Sequence, residues 1–170
     1  PMDLNMVFKV VLDNPQHTFL VLTKNPRMLL DKIVESPYVF QWDYALPSNL
    51  WIGVSVSDRK ALSLLEELNG YVGEIPGEWH VWVSFEPVHG DILERDFHNP
   101  MFRMLEWIVV GAETGNRKGK VIPEENWIKD LVRLGLIHNI PVFVKDNAEG
   151  FIPKTYRLKD FPKSMGVGRR

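Results

Sequence analysis

Cysteine is absent from all 170 residues, which excludes disulfides, thiolate zinc sites and cysteine-ligated iron–sulfur clusters held by this chain. Long apolar runs are missing too: no stretch approaches the ~18 residues a membrane-spanning helix needs, and the amino-terminal residues lack the pattern of a secretory leader. A cytoplasmic protein with no membrane partner is therefore expected. Charge of one sign is also lacking. With 20 Lys and Arg against 22 Asp and Glu, the net charge is −2, so no global field draws the chain to nucleic acid or anionic lipid. Neither G-x-x-x-x-G-K-S/T nor G-x-G-x-x-G occurs, which removes the common mononucleotide and dinucleotide loops. His17, His80, His89, His98 and His138 show no metal-ligand spacing and read as structural, so no metal site is expected.

What is present is a rhythm. Apolar runs at residues 19–24, 51–57, 81–86, 108–113 and 142–145 each close on polar or charged residues. They are nearly continuous in Val, Ile, Leu, Phe and Trp, the pattern of strands covered on both faces. Helical periodicity separates most of them. Pro26 suits a first helical turn, and Asp58 suits a cap for a helix burying Leu62, Leu65 and Leu68, with Gly70 just past its end. A helix from Pro123 would bury Trp127, Ile128, Leu131 and Leu134, with Gly135 and Asn139 weakening or ending it. An opening helix over Val7–Leu12 implies an earlier strand. Residues 1–155 read as a single α/β domain and residues 156–170 as a basic tail, mobile or packed as an arm.

A complete (β/α) barrel needs about 250 residues. Polar groups at nearly every strand end, rather than at one switch point, favour a partial (β/α) barrel of about five parallel strands whose N-terminal strands are missing. An open doubly wound sheet is the alternative. Either way, chemistry collects at the carboxyl ends of parallel strands, so Thr23, Lys24, Ser55, Ser57, Glu86, Glu113 and Lys145 are expected on one rim.

Glu86 and Glu113 are the candidate catalytic pair, because an acidic residue directly after an apolar run is costly to bury unless partnered, and neighbouring strands lie only about 4.8 Å apart. The structural alternative is that each ties a strand end to Lys24, Lys145 or loop amides. Lys24 and Lys145 can bind an anion as point charges. Ser55 and Ser57 flank Val56, and one of them is expected to face the pocket. Gly111 opens a glycine-containing loop whose amides could approach a phosphate or carboxylate. The basic residues 117–120 and an aromatic patch around Trp42 offer a route to nucleic acid or a protein partner, although short charge runs are usually solvated surface. The remaining tryptophans in the strands and the helix from Pro123 fit core packing.

Five ordered stretches carry a resemblance: Pro15-Gln16-His17-Thr18-Phe19-Leu20-Val21-Leu22-Thr23-Lys24-Asn25-Pro26; Leu50-Trp51-Ile52-Gly53-Val54-Ser55-Val56; Val83-Ser84-Phe85-Glu86-Pro87; Trp107-Ile108-Val109-Val110-Gly111-Ala112-Glu113-Thr114-Gly115; and Pro141-Val142-Phe143-Val144-Lys145. Together they resemble the carboxyl-terminal part of the phage-associated radical S-adenosylmethionine-like family. That resemblance implies S-adenosylmethionine as cosubstrate and a 4Fe–4S cluster held by a three-cysteine segment, which this chain lacks. It implies that Lys24, Ser55 or Ser57, Glu86, Glu113 and Lys145 lie near cosubstrate or substrate, in a chain that is not redox-active by itself. Two other classes fit the same residues: a carboxylate-pair hydrolase, and a non-enzymatic module binding a nucleotide or a partner. A small-molecule ligand is expected in each enzymatic case, and an open sheet edge would invite a homo-oligomer.

Overall fold

The five apolar runs become five strands: β1 (Phe19–Thr23), β2 (Leu50–Ser55), β3 (His80–Phe85), β4 (Leu105–Val110) and β5 (Val142–Val144). In the computed structural model, which describes residues 4–37, 45–92 and 98–166, they form one sheet in the order β1-β2-β3-β4-β5 with every pair parallel. Spatial order thus equals chain order, with no reversal. The strands stop sooner than their apolar runs suggest, leaving Ser57, Glu86, Glu113 and Lys145 in the loops just beyond the sheet. The aromatic patch at residues 38–44 lies outside the described residues.

Helices connect the strands where turn chemistry starts them. Helix α1 (Leu4–Asp13) leads into β1 and buries Phe8 and Val11. Helix α2 (Pro26–Glu35) begins on Pro26, while the Asn25 side chain accepts the Met28 amide at 3.0 Å, supplying one of the bonds a helix start lacks. Asp58 accepts the Ala61 amide at 3.1 Å and caps a 3-10 turn, Arg59–Leu62, that continues as α3 (Ser63–Tyr71). Gly70 therefore sits inside the last turn of α3, and Gly73, at φ 90°, follows it. Between β3 and β4 the described residues hold only a 3-10 turn, Pro100–Met104. Helix α4 (Glu125–His138) passes through Gly135 and ends at Asn139, which adopts φ 55°. Gly135 serves packing instead: a Cβ there would meet Val142 Cγ2 at 2.1 Å. The short α5 (Asp146–Glu149) follows β5.

The two faces of the sheet differ. One carries the main core, in which Leu50, Ile52, Val54, Val81, Val83, Phe85, Ile108, Val110, Val142 and Val144 pack under residues from the four longer helices. The other face has no described α-helix on it. Its buried cluster is Trp51, Trp82, Trp107 and Val109, joined by Phe143 and Met165. Trp82 lies flat across Gly53, where a Cβ would sit 2.5 Å from the indole. One extra residue in β4 shifts its register against β3, placing Glu106 where its carboxylate meets His80 Nδ1 at 3.0 Å. His80 stacks on Trp51 with centroids 4.6 Å apart, so this buried histidine is structural, as the sequence suggests.

The edges differ as well. Residues 158–160 run antiparallel along β5, with the Val144 amide on Leu158 O at 2.8 Å and the Asp160 amide on Val142 O at 3.0 Å. Lys159 fastens this segment by donating to Val144 O and Glu149, at 2.6 and 2.7 Å, and Phe161 packs its ring 5.4 Å from Trp107. The start of the tail is therefore paired along β5 rather than a loose end. At the opposite edge β1 is not covered on both faces: Leu20 and Leu22 are 45% and 46% exposed, whereas every residue of β2 and β3 is buried. An outermost strand lacks a neighbour whose side chains would shield it.

Candidate functional site

Backbone hydrogen bonds extend the ladder one step past the strands and fix the rim. The Gly111 amide donates to Phe85 O at 3.0 Å and the Lys145 amide to Val110 O at 2.8 Å, so Glu86, Gly111 and Lys145 stand on the ends of β3, β4 and β5. Gly111 lies between the two charged residues. A Cβ at that position would be 2.7 Å from Glu86 Oε1 and 2.8 Å from its Cδ. With only hydrogen there, the Glu86 carboxylate lies across β4 and accepts from Lys145 Nζ at 2.8 Å on each oxygen. Both partners remain reachable, Glu86 at 27% and Lys145 at 44% side-chain exposure.

The serines and Lys24 flank this pair on the β1 side. Ser55 is buried and its hydroxyl reaches Glu86 O at 3.4 Å, the outer limit of a hydrogen bond. Ser84, also buried, is its register partner on β3. Ser57 would share Ser55's side of a continuing strand, but β2 ends at Ser55, and Ser57 instead offers its carbonyl to the His89 amide at 2.9 Å. Lys24 is exposed beyond β1 and has no polar partner among the described residues.

Glu113 does not join Glu86 in a shared site. Arg117 grips it with Nε on Oε1 at 2.6 Å and Nη2 on Oε2 at 3.0 Å, the Val121 amide donates at 3.2 Å, and His89 Nε2 lies 3.4 Å away. The hydrogen bond from Arg117, ahead of the Val121 amide, the Arg117 charge and His89, overcomes partial burial and lowers its pKa to about 2. A carboxyl held there is ionised at neutral pH and has no proton to give. The same contacts commit Arg117 of the basic loop to Glu113.

Loop amides are committed too. The Gly111 amide belongs to the ladder, and Asn147, in α5, clamps Ala112 by accepting its amide at 3.3 Å and donating to its carbonyl at 2.7 Å. Gly111 therefore makes room rather than presenting its N–H to a ligand. His89, which the sequence alone reads as structural, stands beside Glu113, and nothing in the sequence marks Asn147, since an asparagine clamp on a loop 35 residues away leaves no local pattern.

Among the described residues, no group of three or more His, Asp or Glu is placed to hold a metal ion, and no helix is long and apolar enough to cross a membrane. The profile of a protein family described as "Protein of unknown function (DUF5131)" matches residues 2–160. The chain belongs to that family. Comparison with the curated proteins and with the solved structures found no match. Among the described residues of this chain, the rim thus sets an open ion pair, Glu86–Lys145, beside a closed one, Glu113–Arg117.

Proposed function

We propose that the chain is the carboxyl-terminal part of a partial (β/α) barrel whose strand-end rim binds a small zwitterionic ligand, with S-adenosylmethionine the ligand implied by the sequence resemblance. Support for the barrel comes from strand order equal to chain order and from helices gathered on one face, where a doubly wound sheet would reverse its order and cover both. The carrying observation is the Glu86–Lys145 pair drawn over Gly111. An ammonium or ribose hydroxyl can take the place of Lys145 against Glu86, and a carboxylate the place of Glu86 against Lys145, so a ligand bearing both groups exchanges one ion pair for two.

The iron–sulfur cluster does not fit this chain. It is held by thiolates, and no cysteine is present, so no redox step is assigned to these residues; the cluster segment would have to come from elsewhere in a longer polypeptide. Hydrolysis by a carboxylate pair is the weaker alternative, since Glu86 and Glu113 each face a different cation and Glu113 stays ionised.

Calorimetric titration with S-adenosylmethionine tests the binding claim. Saturable heat is expected, weakened at least about tenfold in Glu86→Gln and in Lys145→Met, the loss of one charge-assisted contact. No saturable heat from the folded wild type overturns it. For a longer polypeptide, anaerobic reconstitution that yields neither a cluster nor 5′-deoxyadenosine removes the radical chemistry.

A further inference from the structure

We infer that the strand-end rim is a nucleic-acid interface, in which unpaired lysines and arginines from three separate connections take the phosphates of a single strand without reading its sequence. Lys24 and Arg27 stand at the passage from β1 to α2, Lys60 in the turn after β2, and Lys118 and Lys120 in the loop after β4. The first four are exposed and Lys120 is half-buried, and none of the five side chains has a polar partner among the described residues. Carboxylates at the same end are engaged instead. Asp58 caps its turn, Glu86 holds Lys145, Glu113 holds Arg117, and Asp146 and Glu149 hold Lys159. Asp91 is engaged as well, and Glu124, at the start of α4, is the exposed exception. The free charge of the rim is therefore positive. The other end is the reverse, since Glu66 and Glu67 in the second half of α3, and Glu74 beyond it, are exposed without a described basic partner. A chain of net charge −2 thus still carries a positive end. Crossover helices α2 and α4 begin at that end and add the positive ends of their dipoles.

The spread of these cations selects the partner. β1 and β4 are three strand spacings apart, about 14 Å, farther than one phosphate group reaches, so engaging both sides of the rim takes an anion with repeated charges. A nucleic-acid backbone is complementary to that arrangement. A bilayer surface would instead need large aromatic or aliphatic anchors among the cations, and no aromatic side chain described at this end is exposed. The same lack leaves the bases no platform to stack on, so the phosphates carry the binding and sequence does not matter. A short basic run is usually solvated surface. Here the fold brings Lys118 and Lys120 to the same end as cations that the sequence places far from them, after β1 and β2.

Fluorescence anisotropy with a labelled single-stranded RNA of about 20 nucleotides, titrated at salt from about 50 to about 200 mM, tests the proposal. Saturable binding is expected, with log affinity falling against log salt at a slope between about −2 and about −3.5, the release from three to five phosphates. Lys118→Glu/Lys120→Glu and, separately, Lys24→Glu/Arg27→Glu should each bind at least about tenfold more weakly and flatten the slope by about 1.4, with melting curves unchanged. Arg103→Glu, a reversal of an exposed arginine at the opposite end of the sheet, should stay within about twofold of the wild type. The Glu86 carboxylate takes no part in these contacts, so RNA binding retained in Glu86→Gln, whatever that variant does to S-adenosylmethionine, keeps this interface distinct from the small-ligand reading. No saturable binding below about 100 µM protein, a slope shallower than about −1, or an equal loss in Arg103→Glu overturns the proposal. So does tighter binding to phosphatidylserine vesicles than to RNA, or a preference above about tenfold for one RNA sequence.

Discussion

Glu86 and Glu113 follow apolar strands in the same way, yet one holds a loop and the other shapes a rim. Glu113 finds Arg117 four residues on, within its own connection, and the loop amide of Val121 completes the grip. Glu86 finds Lys145, 59 residues away and two strands over, and only because β4 offers a glycine between them. A short-range partner closes a loop on itself and uses up the carboxylate. A long-range partner leaves the charges of two strands side by side at the surface, where a ligand can compete for them. The sequence pattern that marks both as candidates is blind to this difference, because it records the position of each acid and not the reach of its cation.

The largest separation between the two should come from Glu113→Ala. Losing the carboxylate that Arg117 grips should free residues 114–121, and trypsin, which cuts after Arg117, Lys118 and Lys120, should cleave there about tenfold faster or more. Glu86→Ala should leave that rate within about twofold. Equal rates in the two variants would erase the distinction between loop staple and rim. Acid sharpens it further. Glu113's pKa is lowered from 4.5 to about 2 in the folded chain, so its stabilising contribution is complete above the unfolded value and is lost as pH falls from about 4.5 through about 2. Urea melts in that window should show a smaller fall in midpoint for Glu113→Gln than for the wild type.

Gly111→Ala comes next and acts on Glu86 alone. The new methyl would occupy the space of Oε1 and Cδ, and because these atoms end a flexible side chain, the carboxylate swings aside at small cost to the fold. Ligand binding at the rim should drop about as far as in Glu86→Gln, roughly tenfold, with the melting curve little changed. At Gly53 the same methyl would strike the indole of buried Trp82, which cannot swing, and about 1–3 kcal/mol of stability should go instead. If Gly111→Ala binds ligand like the wild type, the crossing of β4 has no functional meaning.

Much of the fold is legible because it rests on local pattern. Continuous apolar runs mark β2 to β5, Pro26 and Asp58 mark turns that do start helices, and polar residues do fall at the carboxyl ends. What escapes is set by the third dimension. Leu20 and Leu22 read as buried because their run matches the others, but β1 is the outermost described strand and both side chains are about half exposed. Residues 158–160 lack strand periodicity, and their place along β5 depends on Lys159 reaching Val144 O and Glu149 and on Phe161 finding Trp107 and Phe143. Gly111 reads as a source of amides when its value is the atom it lacks.

The smallest effect on stability, and the most useful, belongs to the rim pair itself. With 27% and 44% of the two side chains exposed, solvent screens the attraction and the ordering of Lys145 offsets part of it, so Glu86→Gln should lower unfolding free energy by less than about 1 kcal/mol. Lys145→Met should cost no more, since methionine keeps an unbranched side chain of similar length. A double-mutant cycle in urea measures the coupling directly, and raising salt should shrink it further. A coupling of several kcal/mol would mean that the pair belongs to the fold, as Glu113 and Arg117 do. A coupling near zero, together with a large loss of ligand affinity, is what separates a pair placed to be exchanged from one placed to hold.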